Sequence, residues 1–218
     1  MKINVRTYIT PLIESNMYVV KSENATIIID PSTSYSVVSK YLDGKLDAIF
    51  LTHCHYDHFN RLMTYLTSPL NDPNTNLLKK KIPIYLHPNA KKKLTSPVAN
   101  CSKMFNEDFC DPLTDQNVIE IKESIINIKD MVIQVVETFG HTNCSLTYII
   151  DENMFTGDFL FNMTIGRTDL ATGNNVMMGL SLEWVKNLSK KGINYTIYPG
   201  HNDYTTLLEE MQFNRFLK

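Results

Sequence analysis

The chain has 218 residues, 43% of them hydrophobic, and a formal net charge of -2. That length and apolar content exclude a disordered chain and predict one compact domain over residues 1–218 with a substantial core. A near-neutral charge gives no whole-molecule attraction to nucleic acid or to an anionic membrane, so a small-molecule substrate is expected and neither of those partners is, with the oligomeric state left open.

Met1-Lys2-Ile3-Asn4-Val5-Arg6 alternates apolar and polar residues and predicts a first strand rather than a signal peptide. Asn16 to Lys21 and Ala25 to Asp30 predict a hairpin turned at Ser22-Glu23-Asn24, with Pro31 stopping its second strand. A helix ending at Leu42 should follow, then a short buried strand over Leu46 to Leu51 and a second helix from near Asp57. Ser68 to Asn76 has the composition of a surface loop, Ile82 to Leu86 that of a strand, and His87-Pro88 that of a helix start. Pro97 to Pro112 is irregular and is expected to cover something. Met131 to Val136, Leu146 to Asp151 and Asn153 to Thr156 predict strands, the last two turned at Glu152-Asn153. Ser181 to Lys191 predicts a helix with Leu182, Val185 and Leu188 on one stripe beside Trp184. Asn194 to Tyr198 predicts a final strand, and Thr206-x-x-Glu209 a capping box for a helix to about Leu217. No apolar run approaches the roughly 20 residues of a membrane span. Lys79 to Lys81 and Lys91 to Lys93 read as solvated surface. Cysteines 54, 101, 110 and 144 show no C-x-x-C spacing, which predicts free thiols and a cytoplasmic location.

Five of the six histidines form one spaced set, densest in Thr52-His53-Cys54-His55-Tyr56-Asp57-His58 directly after a predicted strand. In extended chain, side chains two apart share a direction, so His53 and His55 can grip one ion while Cys54 points elsewhere. A helix starting near Asp57 turns Asp57 and His58 towards a neighbouring position, where a second cation would sit about 3.5–4 Å from the first. Phe139-Gly140-His141, Thr156-Gly157-Asp158 and Pro199-Gly200-His201 each close a strand-like run with glycine and then a ligand type. The reading that follows is a two-metal centre. His53, His55 and His141 hold one divalent ion, and Asp57, His58 and His201 the other. Asp158 bridges them, and each ion keeps an open, catalytic position. Zinc is the first expectation, with iron or manganese as alternatives. His87 fits no such pattern and is assigned to the helix start.

His53-x-His55-x-Asp57-His58 with His141, Asp158 and His201 at strand ends resembles the metallo-β-lactamase superfamily over almost the whole chain. Gly140-His141-Thr142, Phe155-Thr156-Gly157-Asp158, Gly166-Arg167-Thr168-Asp169-Leu170 and the tail Pro199-Gly200-His201 with Thr205-Thr206-Leu207 are similar to its glyoxalase II branch, in the short bacterial form. The resemblance implies an α/β fold, a four-layer αββα sandwich with metals at one edge of its sheets. It also implies hydrolysis of hydroxyacyl thioesters such as lactoylglutathione, with Asp57 as the catalytic aspartate that binds the second metal and orients the nucleophile. Arg167 and Asp169 are expected to form an ion pair supporting the Asp158 loop. The residues after His201 are too few for the helical C-terminal domain with which full-length glyoxalase II holds glutathione. Phe59-Asn60 replaces two small residues after the histidine motif, so Phe59 is expected to narrow the pocket floor. Cys144 replaces a glycine and reads as a packed thiol. Phe161, Met163 and Tyr204 are further pocket candidates.

A rival reading is a persulfide dioxygenase with one iron on His53, His141 and Asp158. β-Lactam, lactone or RNA hydrolysis, or a non-catalytic metal module, come after it.

Overall fold

The computed structural model describes residues 2–11, 13–70, 81–110, 113 and 117–218. Positions 71–76 of the expected surface loop, Lys79, Lys80 and Pro112 lie outside them. The first half of the chain forms a six-stranded sheet in chain order: β1 (Asn4–Ile9), β2 (Asn16–Lys21), β3 (Thr26–Ile29), β4 (Ala48–Phe50), β5 (Pro83–Leu86) and β6 (Asn117–Glu120). The first three strands pair antiparallel and the remainder parallel. Parallel neighbours need crossovers. These carry α1 (Tyr35–Leu42), α2 (Tyr56–Phe59), α3 (Leu62–Leu66) and α4 (Pro88–Lys93). His87 caps α4, its Nδ1 accepting from the Asn89 amide at 3.1 Å, and Pro88 occupies the first turn.

The second half supplies β7 (Ser124–Ile128), β8 (Met131–Glu137), β9 (Leu146–Ile150), β10 (Asn153–Gly157), a small hairpin of β11 (Leu160–Phe161) and β12 (Thr164–Ile165), α5 (Asn175–Ser189), β13 (Thr196–Pro199), β14 (Thr205–Thr206) and α6 (Leu207–Phe213). Its six-stranded sheet runs β14-β13-β10-β9-β8-β7. The Thr206–Glu209 capping box is present at the start of α6. α5 begins earlier than the Ser181 expected, because the Asn174 side chain accepts from the Met177 amide and caps it there. Gly179, a poor helix former, obscured that first stretch. β6 and β7 were not anticipated; their exposed positions belong to sheet edges and lack the alternation of a half-buried strand.

The strands show why the two sheets stack. In β2, Met17 and Val19 pack against the helix side, while Tyr18 and Val20 face the other sheet. In β3 and β4, Ile28 and Ile49 go to the helices, and Ile27, Ile29, Ala48 and Phe50 inward. The second sheet mirrors this: Tyr148 and Phe155 face the central layer, Ile149 and Met154 face α5 and α6. Strands buried on both faces read as continuous apolar runs, which is how Ala48 to Leu51 looks within the expected Leu46 to Leu51 segment. Burying each large side chain, such as Phe50 or Tyr148, contributes about 1.5–3 kcal/mol. Three apolar layers thus sit between helices, sheet, sheet and helices, the four-layer αββα sandwich. No helix among the described residues is long and apolar enough to cross a membrane.

The candidate metal centre

The site forms where four strands end. β4 runs into the histidine segment, the chain beyond β8 reaches His141, β10 delivers Asp158, and β13 delivers His201. Contacts between the halves fix this edge: the Asn16 amide donates to the Gly200 carbonyl at 2.7 Å, and the Leu146 amide to that of Thr52 at 2.8 Å. Gly157 (φ +51°) turns the chain where a Cβ would strike the Thr52 side chain. At Gly200 a Cβ would collide with Asp158 Oδ1 and approach His58 Cε1 to 2.7 Å. Gly200→Ala should therefore displace the Asp158 carboxylate and lower bound metal well below the wild-type count while the thermal melt stays cooperative. Unchanged metal content in the purified variant would contradict this.

All seven side chains named from the sequence meet in one volume, six of them buried and His201 partly so. Ligand-type atoms of His53, His55, His141 and Asp158 lie within 4.8 Å of one another, and so do those of Asp57, His58 and His201. Asp158 faces both groups. Its Oδ2 is 3.4 Å from His141 Nε2, 3.9 Å from His53 Nε2 and 3.6 Å from His201 Nε2, and its Oδ1 is 3.2 Å from His58 Nε2. Asp57 Oδ2 lies 3.2 Å from His58 Nε2 and 3.3 Å from His201 Nε2. His55 Nδ1 is 2.9 Å from His141 Nε2.

The backbone decides which ring nitrogens point inward. A carbonyl only accepts, so His141 Nδ1 donates to the Arg167 carbonyl (2.7 Å) and His201 Nδ1 to that of Ile13 (3.1 Å). Both Nε2 atoms then face the cluster. An aspartate absent from the sequence-derived set does the same for His53 and His58. Asp30, buried and in the left-handed region at φ 53°, accepts from the Thr52 amide (2.7 Å), the Thr52 hydroxyl (2.6 Å) and His58 Nδ1 (3.1 Å). With its proton committed to Asp30, Thr52 Oγ1 accepts from His53 Nδ1 at 3.0 Å. One carboxylate therefore orients a histidine in each group, the arrangement typical around metal ligands. The available signal was an aspartate ending a strand beside the one that leads into the histidines.

Within this cluster His53 Nε2, His58 Nε2 and Asp158 Oδ1 are buried without a well-directed hydrogen bond, although the last two lie 3.2 Å apart. Buried polar atoms without partners are costly, and a cation on each group would satisfy them and offset the buried carboxylates. The donors therefore fit two divalent ions of the zinc, iron or manganese type.

Electrostatics separate the two groups. Burial, reinforced by neighbouring histidines, holds His53 well below the usual histidine value and brings His55 down to about 3, so both are neutral. Burial also opposes charge on His58, yet Asp158 and Asp57 outweigh it and raise His58 well above 6.5. His201 is raised as well: burial opposes, and the bond to Asp57 wins. Burial opposes ionisation of Asp57 and Asp158 too, but His58 and its neighbours keep both below the carboxylate range. In the metal-free chain, the stability supplied by the raised histidines is full below the unfolded value near 6.5 and is lost as pH rises through the folded one. For metal the sign reverses, because an ion entering the Asp57 group must expel those protons. Metal per chain should fall from two towards one as pH drops from about 8 to about 6, with the His53 group retained. Simultaneous loss of both ions would refute this ordering.

Other expectations fared unevenly. The Arg167–Asp169 ion pair exists, at 2.6 and 2.7 Å, but it is exposed at the rim. Arg167 supports the site through its carbonyl instead. Phe59 does not narrow the pocket: it is buried in the helix-side core against Phe109. Phe161 does line the pocket, whereas the exposed Met163 and Tyr204 are not among its lining residues. Cys144 is a fully buried, packed thiol, 3.5 Å from Cys54. Pro97 to Phe109 covers the site's flank: the Asn100 carbonyl receives the Tyr56 amide, and Phe109 packs on Tyr56 and Phe59.

Comparison with known proteins gives a consistent kinship. Residues 10–67 match the family profile described as the Metallo-beta-lactamase superfamily. A probable metallo-hydrolase of Streptococcus pyogenes serotype M6 is 31% identical over 211 residues, covering 92% of this chain and 84% of the relative. Among solved structures, the BLEG-1 B3 metallo-beta-lactamase superposes with a TM-score of 0.79 at 24% identity, each chain covered in full. TTHA1623 in a di-iron-bound form gives 0.75 at 24% identity, over 98% of this chain and 100% of that one. At such identities these two likenesses speak to the fold.

Proposed function

The chain belongs to the metallo-beta-lactamase superfamily, and from that membership we propose that it is a metal-dependent hydrolase that opens thioesters at a two-metal centre. The observation that carries the reading is Asp158, a buried carboxylate whose two oxygens face two separate histidine groups. Two divalent cations would supply activation of water and polarisation of the carbonyl. His53, His55, His141 and Asp158 would hold one, Asp57, His58, His201 and Asp158 the other.

The protein's own part is largely positional. Asp57, ionised, presents Oδ2 at the centre of its group, where it would help hold the second ion and orient the attacking water. Asp30, Ile13 and Arg167 fix the histidine rings through the Nδ1 bonds described above. Burial keeps His53 and His55 neutral. In the net reaction a C–O bond forms to the water oxygen and the C–S bond breaks. The departing sulfur takes up a proton, and the carboxylic acid product ionises.

Likeness to glyoxalase II names hydroxyacyl thioesters such as lactoylglutathione as the first substrates to try. The mononuclear iron oxygenase is less favoured, since His55 joins the His53–His141 group and the Asp57 group is complete beside it. Metal quantification together with a thioester panel tests the reading. Two ions per chain with thioester turnover support it; one iron with O₂ uptake on a persulfide would overturn it.

A further inference from the structure

Above the metal centre lies a cavity of ≈ 340 Å³ whose floor carries His55, Asp57, His141, Asp158 and His201. Its walls are of another character: Ile13, Cys101, Met104, Phe105, Phe161 and Leu170. One side is a short 3-10 turn, Ser102–Phe105, which with Cys101 before it supplies half of these wall residues. The turn is tied in place. Cys101 and Asn106, which bracket it, both sit in the left-handed region (φ 62° and 58°), and the Asn100 side chain accepts from the Ser102 amide at 2.9 Å and donates to the Phe109 carbonyl at 3.0 Å. Met104 is nonetheless 63% exposed and Ile13 53% exposed, large apolar groups held in water at the mouth of a polar centre. Phe161 stands edge-on to His201 across the cavity, ring centroids 5.9 Å apart.

Charge points the same way. Arg167 is the one lysine or arginine among the lining residues, and its guanidinium is already engaged by both oxygens of Asp169. A thiol carrier with two carboxylates, such as glutathione, would find no unpaired lysine or arginine among the described residues of these walls. An uncharged chain would find apolar surface on both sides. Apolar walls with few polar groups are the usual make-up of a pocket that selects by shape and desolvation.

We propose that the Cys101–Phe105 turn, with Ile13, Phe161 and Leu170, is the specificity wall of the site, and that the substrate is a thioester whose arm against that wall is apolar and uncharged. The inference rests on the thioesterase reading and narrows it. Binding the arm removes Met104 and Ile13 from water, so selectivity grows with the apolar area of the substrate.

The test uses the metal-loaded full chain with acetyl, butyryl and hexanoyl thioesters of one small neutral thiol, alongside lactoylglutathione. kcat/KM should rise about threefold or more per added methylene until the wall is filled, and the hexanoyl ester should exceed lactoylglutathione. Met104→Lys, at an exposed position that folding does not depend on, should cut the hexanoyl-to-acetyl ratio at least tenfold and shift preference towards lactoylglutathione. Calorimetry with a non-hydrolysable hexyl thioether, on loaded and metal-free protein, should give a negative heat-capacity change that shrinks in Met104→Lys. Hydrolysis that is flat in chain length, or best with lactoylglutathione, overturns the specificity wall and leaves the thioesterase reading standing. No hydrolysis of any thioester overturns both.

Discussion

Asp57→Ala should lower thioester turnover by about a thousandfold or more while leaving a folded protein. The expected loss is roughly 4 kcal/mol of transition-state stabilisation, the scale for removing a group that both holds an ion and orients the attacking water. Folding should survive because the bond that ties Asp57 to the segment before β2, from Ser15 Oγ to its backbone carbonyl at 2.8 Å, does not involve the side chain. The variant should retain the His53, His55, His141 and Asp158 group and so bind close to one ion per chain. Its two remaining histidines, His58 and His201, lose the Oδ2 that both face. Initial rates, metal content and a circular dichroism melt on one preparation check all three points. Purified variant with turnover within tenfold of wild type would remove Asp57 from the chemistry and with it the second metal position.

How much of this centre could be read beforehand depends on the kind of signal each residue leaves. His53 to His58 is legible because metal-capable side chains are seldom packed into one short segment after an apolar run unless they bind an ion there. His141, Asp158 and His201 are legible through the glycine before each, since a chain leaving a strand at close quarters needs that backbone; Gly157 and Gly200 bear out the reasoning with their contacts to Thr52, Asp158 and His58. Asp30 left no comparable mark. Ahead of Pro31 it looks like an ordinary strand stop, and its role depends on β3 pairing parallel with β4, which brings it beside Thr52. Phe59 was misplaced for a related reason. Proximity in sequence to His58 suggested proximity to the pocket, but α2 turns the next side chain into the helix-side core. The wall at Cys101–Phe105 was legible only as an irregular stretch that covers something. What it covers follows from the Asn100 contacts that tie it to Tyr56 and Phe109.

Asp30 supplies the second large effect, and its two obvious variants should differ in kind. Asp30→Ala leaves the Thr52 amide, the Thr52 hydroxyl and His58 Nδ1 buried without their acceptor. Removing one partner from such a network costs about 3–5 kcal/mol, which for a chain of this size lowers Tm by roughly 6–20 °C. Asp30→Asn keeps the shape and its carbonyl can still accept from the Thr52 amide, so it should melt closer to wild type. Its amide, however, stands where Oδ2 accepted from both the Thr52 hydroxyl and His58 Nδ1. Turned towards His58, that NH₂ forces Nδ1 to become the acceptor and moves the ring proton to Nε2, the atom 3.2 Å from both Asp57 Oδ2 and Asp158 Oδ1. A protonated Nε2 cannot ligate. The same NH₂ turns the Thr52 hydroxyl into a donor towards His53 Nδ1, so the asparagine variant should lose about 10–100-fold in affinity at both metal groups while keeping its fold. Competitive metal titration beside a thermal melt separates the two effects. Wild-type affinity for both ions in Asp30→Asn would show that the carboxylate only supports the turn, and that the ring orientations at His53 and His58 are set by packing.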